Sequence, residues 1–195
     1  MLMVGTVEAE VESELRAGLL ACPSCAGVLA PWGFARTRRL RLRRGGLFPL
    51  RPRRARCRGC ARTHVLLPDL CLLRRQYEVA VIGAAIEAKA RGRGYRRIGG
   101  ELGVPAYTVR AWLRRFSGRA EAIRAHFARW AFALDPELSP IAPAQGPFAE
   151  ALEAIAVAAR AWVLRFGRRP VWPLVATLSG GLLLATRAVL FPAAP

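Results

Sequence analysis

Two C-x-x-C pairs stand out first: Cys22-Pro23-Ser24-Cys25 and Cys57-Arg58-Gly59-Cys60. Thiolates act as nucleophiles, redox partners or metal ligands, and their spacing separates these uses. A C-x-x-C turn offers two sulfurs to one ion while nearby backbone amides stabilise the negative charge, and two such turns complete a tetrahedron. Zinc favours that ligation. A fourth sulfur closes the position that a catalytic zinc keeps open, so the expected cofactor is structural Zn2+ on Cys22, Cys25, Cys57 and Cys60. Pro23, Gly27 and Gly59 supply the tight chain geometry. A thioredoxin-like redox pair is the alternative; it would need a βαβ surrounding and leaves the second pair unexplained. His64 is a spare ligand or simply a strand residue, and Cys71, among Leu70, Leu72 and Leu73, reads as a small buried hydrophobe.

The elements around the cysteines carry an extreme charge. The 195-residue chain has a formal net charge of +18, and every basic residue except Lys89 is arginine. No carboxylate occurs from Leu15 to Pro68, a stretch that includes Arg36, Arg38, Arg39, Arg41, Arg43, Arg44 and Arg51. Such a segment repels itself unless an anion neutralises it, which points to nucleic acid; the plain alternative is a solvated face. Glu8, Glu10, Glu12 and Glu14 form the opposite extreme, on a segment where Val7, Val11, Leu15 and Leu19 recur every four residues. Residues 1–20 are an acidic N-terminal arm, read either as a plain tail or as a short amphipathic helix folded over the arginines in competition with DNA.

Residues 20–70 mix short apolar runs with Gly and Pro and predict small strands and turns. Beyond Tyr77 the period becomes helical: Val79, Ile82 and Ile86 share a face until Gly92 and Gly94, and a second short helix spans about Tyr95 to Leu102 with Ile98 and Leu102 inward. Gly103-Val104-Pro105 then makes a tight turn, and Pro105 opens a helix to about Phe116 with Val109, Trp112, Leu113 and Phe116 on its buried face. Its other face carries Tyr107, Arg110, Arg114 and Arg115. Ile123, Phe127, Trp130, Ala131 and Leu134 extend the pattern, with His126 off the stripe and expected to be exposed. Pro136, Pro140, Pro143 and Pro147 define a linker; Leu152, Ile155, Ala159, Trp162, Val163 and Phe166 form a further stripe, and Trp172 to Leu184 a hydrophobic hairpin around Gly180-Gly181. Core packing is the default for this last region and a homodimer interface the alternative.

The cysteine constellation resembles a zinc ribbon over about Ala21 to Pro68. The resemblance implies strands around Val28–Trp32, Arg36–Arg43, Arg51–Arg56 and Thr63–Leu67. Tyr95 to Phe116 resembles the homeodomain-like helix-turn-helix of bacterial insertion-element transposases and their accessory proteins. In that motif the second helix lies in the major groove, which implies base contacts from Ala106, Tyr107, Thr108 and Arg110 and phosphate contacts from Arg96, Arg97, Arg114 and Arg115. The whole order resembles a family of short bacterial proteins, similar to the N-terminal DNA-binding part of such transposases without the nuclease domain; the likeness covers Cys22 to Phe116 well and the C-terminal third loosely.

The expected fold is mainly α with a small β zinc ribbon: an arm (1–20), the ribbon (21–70), a three-helix homeodomain-like helix-turn-helix with a trailing helix (75–134), a Pro-rich linker (135–147) and a C-terminal helical region (148–195). The expected function is sequence-selective binding of double-stranded DNA, as a transcriptional regulator or transposase-like protein. No enzyme is expected, because thirteen acids, four of them in the arm, offer no carboxylate set for two-metal catalysis. An adaptor that docks on protein partners and an RNA- or ribosome-associated protein are the other readings. No secretory signal is apparent, and Val171 to Thr186, interrupted by Pro173 and Gly180-Gly181, falls short of the ~20 apolar residues of a membrane span. A cytoplasmic, nucleoid-associated location follows as the expectation, with membrane association a lesser one.

Overall fold

A computed structural model describes residues 1–138, 145–185 and 191–192. The elements run β1 (Leu2–Val4), α1 (Glu8–Arg16), β2 (Leu29–Phe34), β3 (Arg38–Arg41), β4 (Leu47–Leu50), β5 (Arg53–Cys57) and β6 (Thr63–Pro68), then α2 (Val79–Ala90), α3 (Tyr95–Leu102), α4 (Ala106–Ser117), α5 (Ala120–Leu134), α6 (Pro147–Phe166) and α7 (Val171–Leu178). Among the described residues about 46% are helical and the strands all lie before residue 69, so the fold is mixed α/β with a second part whose described elements are helices. Pro140, Pro143 and Thr186 lie outside the described residues. Among the described residues no helix is long and apolar enough to cross a membrane.

Four strands form a sheet in the order β1-β6-β5-β2, with β1 parallel to β6 and the other pairs antiparallel. Strand alternation sends Leu29, Ala55, Cys57 and Leu66 into one small core, where α1 adds Val11 and Leu15. The N-terminal residues are therefore not a plain tail: β1 completes the sheet, and α1 lies against it. Glu12 receives two bonds from Arg53, Nε at 2.8 Å and Nη2 at 3.2 Å, and this guanidinium holds the carboxyl below its ordinary range. Val7 and Leu19, expected on the apolar stripe, are exposed because the helix covers only about two turns.

The second pair, β3 and β4, forms a separate hairpin with Gly45 and Gly46 in the left-handed region at its tip. Leu40 and Leu50 of this hairpin meet Leu67 and Cys71 in a second small core. Cys71 is buried there as expected, with the added feature that Arg38 Nη2 donates to its Sγ at 3.2 Å.

The main core joins α2 through α7. α3 ends at Gly103, whose φ of 62° suits the left-handed C-terminal position that glycine takes without strain. α4 starts one residue later than expected, with Pro105 as its N-cap rather than its first turn. α5 and α6 pack side by side and run parallel, with Arg124 Nε 3.8 Å from Glu150 near their starts and Arg165 Nη1 donating to the Leu134 carbonyl at 3.3 Å near their ends, and Phe148 of α6 also meets Phe116 of α4 in ring contact at 4.8 Å. His126 is fully buried rather than exposed, since its Nε2 lies 2.9 Å from the Leu178 carbonyl at the end of α7. The buried face of α6 is an alanine row, Ala151, Ala154, Ala158, Ala159 and Ala161 around Ile155, while Val163 and Phe166 are exposed. The segment after Trp172 is a helix and a tight Gly180-Gly181 turn; Pro173 sits in the first turn of α7, where its missing amide breaks no intrahelical bond.

Candidate metal centre and nucleic-acid interface

The two cysteine turns repeat one backbone design. In the first, the Cys22 amide donates to the Gly27 carbonyl (2.7 Å) and the Ala26 amide to the Cys22 carbonyl (2.8 Å); in the second, Cys57 donates to Arg62 (2.9 Å) and Ala61 to Cys57 (3.1 Å). Ala26 and Ala61 both take positive φ, 59° and 58°, so each chain reverses just after its second cysteine. The first turn leads into β2 through the Ala21–Val28 bridge, and the second joins β5 to β6. Because β2 and β5 are hydrogen-bonded neighbours, with Leu29 opposite Cys57, the sheet register brings the turns together.

All four sulfurs lie within 4.8 Å of one another, with Cys22 to Cys60 at 3.7 Å and Cys25 to Cys57 at 3.5 Å. A tetrahedral thiolate site with bonds of ~2.3 Å requires sulfurs ~3.8 Å apart, so the donor set fits a metal ion closely. Amides face the sulfurs: Ser24 N is 3.4 Å from Cys22 Sγ, and Cys60 N is 3.4 Å from Cys57 Sγ. Burial raises the Cys22 thiol, but the Ser24 and Cys25 amides and the neighbouring cysteines bring it down to about 6. The Cys60 amide leads the same lowering at Cys57. At Cys25 the Gly27 amide acts downward, yet the Cys57 and Cys60 sulfurs outweigh it and push the thiol up to about 11. Four sulfurs at this range compete for protons, and a cation relieves that competition. A Cβ on Gly27 would stand 3.1 Å from Cys57 Sγ and 3.3 Å from Cys25 Sγ, so this glycine leaves the room the sulfurs occupy. The four cysteines can therefore hold a metal ion.

His64 is not a bystander on its strand. It points inward from β6, nearly buried, with Nε2 3.3 Å from Cys22 Sγ. With four sulfurs present, its role is as a hydrogen-bonding neighbour of a ligand rather than a fifth ligand. Period-2 alternation with Leu66 was the available signal for its inward position.

The second candidate surface is built on α3 and α4. Val109, Trp112, Leu113 and Phe116 are buried on one face of α4, which leaves Tyr107 (76% exposed), Arg110 and Arg114 toward solvent. Ala106, Thr108 and Arg115 are half-buried, and Arg115 donates to the Ala111 carbonyl at 3.4 Å. On α3, Arg96 and Arg97 are exposed; Arg97 Nε bonds Glu101 at 3.0 Å, and Arg93 reaches the same carboxylate. The guanidiniums of Arg96 and Arg110 lie 5.9 and 5.8 Å from the Tyr95 ring centroid, so one ring gathers cations from both helices. Gly99 sets how closely the helices meet: a Cβ there would be 2.7 Å from the Val104 carbonyl oxygen and 3.2 Å from the Ala106 Cα. The sequence reading did not single this residue out.

Residues 22–112 are similar to a family described as a domain of unknown function (DUF6431). The matched stretch begins at the first cysteine of the cluster and ends within α4. Neither the curated proteins nor the solved structures gave a match.

Proposed function

We propose that the chain is a sequence-selective double-stranded DNA-binding protein in which α2, α3 and α4 act as a homeodomain-like helix-turn-helix and the cysteine cluster holds structural Zn2+. The observation that carries this reading is the division of α4, buried through Val109, Trp112, Leu113 and Phe116 and cationic outward through Arg110 and Arg114. The left-handed Gly103 between α3 and α4 and the close approach at Gly99 supply the compact turn such a pair requires. Ala106, Tyr107, Thr108 and Arg110, at or near the start of α4, are assigned to base edges in the major groove; Arg96, Arg97, Arg114 and Arg115 are assigned to phosphates. Arg97 already pairs with Glu101, but an exposed pair is worth only ~0–1 kcal/mol, so a phosphate displaces it at small cost. The Zn2+ assignment rests on the all-sulfur donor set and its spacing.

On this reading the protein has no catalytic domain and acts at the nucleoid. Its likeness to insertion-element transposases over Tyr95–Phe116 favours a regulator or a mobile-element accessory protein. A homodimer through the C-terminal helices fits the exposed Leu164 and Phe166 at the end of α6, and paired half-sites would follow from it. The test separates the two arginine roles. Arg110→Ala should cost ~1–3 kcal/mol on a selected duplex and relax base preference. Arg114→Ala should weaken binding to all duplexes alike and lower the salt slope by ~1. Equal, sequence-blind losses from both substitutions would contradict the assigned roles.

A further inference from the structure

The α4 surface leaves the β3–β4 hairpin unused, although Arg39, Arg41, Arg43 and Arg44 are all exposed on it. The hairpin is fastened to the helical part by main-chain bonds. Arg41 N donates to the Gln76 carbonyl (2.8 Å), Glu78 N donates to the Arg41 carbonyl (2.9 Å), and Arg43 N donates to Glu78 Oε2 (2.7 Å). Side chains continue the link into α4: the Arg41 guanidinium lies 5.8 Å from the Tyr77 ring centroid, and Tyr77 meets Trp112 edge-on at 5.0 Å. The hairpin and α4 thus share one fixed frame.

The hairpin tip stands beside the α3–α4 turn, with Leu42, Gly45 and Gly46 across a cleft from Leu102, Gly103 and Val104. Arg43 and Arg44 have no carboxylate partner among the described residues; the Glu78 carboxylate at the tip is taken by the Arg43 backbone amide. Gly45 and Gly46 carry no side chain, which lets a phosphate chain come close to the tip.

We infer that this tip is a second DNA contact, with Arg43 and Arg44 binding phosphates that flank the groove entered by α4. The inference rests on the proposed reading of α4. A rigid cationic hairpin next to that helix adds phosphate contacts without added ordering cost, because the hydrogen bonds to Gln76 and Glu78 have already fixed it.

The experiment uses the full-length, zinc-loaded protein and a labelled duplex of about three helical turns, ~30 base pairs. Affinity is measured across a salt series and the footprint is mapped by hydroxyl-radical cleavage. The double variant R43Q/R44Q should bind with a log K against log salt slope shallower by ~1.8, since each lost phosphate contact removes ~0.9. One flank of its footprint should shorten. R129Q, on the exposed side of α5, should leave slope and footprint as in the unmodified protein. If R43Q/R44Q kept the full slope and footprint while Arg110→Ala weakened binding, the hairpin contact would be overturned and the α4 reading would stand. Absence of duplex binding by the unmodified protein, or a preference for structured RNA, would overturn both.

Discussion

Gly99 and Gly100 are neighbours in α3 with opposite surroundings, and alanine at each should change stability in opposite directions. At Gly100 a Cβ meets nothing within 4 Å. Alanine there removes the entropic penalty of a glycine inside a helix, a gain of ~0.5–1 kcal/mol. At Gly99 the same local gain is available, but the new carbon would lie 2.7 Å from the Val104 carbonyl oxygen, 3.2 Å from the Ala106 Cα and 3.3 Å from the Ala106 nitrogen. These are backbone atoms of the turn and of the first residue of α4, so no side chain can swing aside. The Val104 amide is also held to the Gly99 carbonyl at 2.9 Å, which ties the turn to the position it would have to leave. Overpacking of this kind costs ~1–3 kcal/mol, so Gly99→Ala should lose roughly 0.5–2 kcal/mol net. At ~2–4 °C per kcal/mol for a chain of this size, Gly100→Ala should raise the melting temperature by ~1–4 °C and Gly99→Ala lower it by ~1–8 °C. Thermal unfolding followed by far-ultraviolet circular dichroism, with urea titration as a check, measures both. Shifts of equal size and the same sign would contradict this packing, because α3 would then not be in contact with the turn that precedes α4.

Three further outcomes are expected. Chelation should open residues 20–70 to proteolysis at their arginines while the helical signal of α2–α7 largely persists, since the sheet core and the helical core are separate clusters; resistance to cleavage after metal removal would count against a structural ion. Gly83→Ala should destabilise toward the upper end of the ~1–3 kcal/mol overpacking range, because its Cβ would enter the Trp172 ring, which is pinned by a 2.7 Å bond from Nε1 to Glu87; an unchanged melting temperature would contradict that packing. Burial lowers the pKa of His126 in the folded chain, so below the unfolded value of ~6.5 the unfolded state binds more protons and stability falls as pH drops toward the folded pKa. His126→Gln, able to keep a donor toward the Leu178 carbonyl, should flatten this part of the stability profile; an equal slope in both proteins would show that other groups cause it.

The metal cluster was legible because its signal is local: the paired cysteines and the small residues around them stand within six positions of one another. The bounds of α3 were equally readable, since Gly94 and Gly103 punctuate Tyr95–Leu102 on both sides. What sequence patterning missed depends on partners far along the chain. β1 is three residues long and exists because Leu2 pairs with Leu66, and α1 is held by Val11, Leu15 and the Glu12–Arg53 bond. His126 was misplaced because a polar residue beside an apolar stripe is assigned to solvent, whereas a carbonyl fifty-two residues later receives it. On α6 the bulky side chains drew the expected core stripe toward Val163 and Phe166. The observed face is alanine, since small residues let α5 approach closely. The docking of the β3–β4 hairpin on Gln76 and Glu78 uses main-chain groups of the hairpin, which leave no pattern in side-chain types, and the Glu78 carboxylate is the side chain that joins them.

Titration of the zinc-loaded protein against a random-sequence duplex pool asks whether the metal-clamped sheet and the cationic face of α4 together bind the double helix, as proposed. Binding that steepens as salt falls, enriches a discrete set of sequences on repeated selection and exceeds binding to structured RNA is the predicted result. No retention of duplex at low ionic strength, with the metal in place and the helices folded, would contradict it.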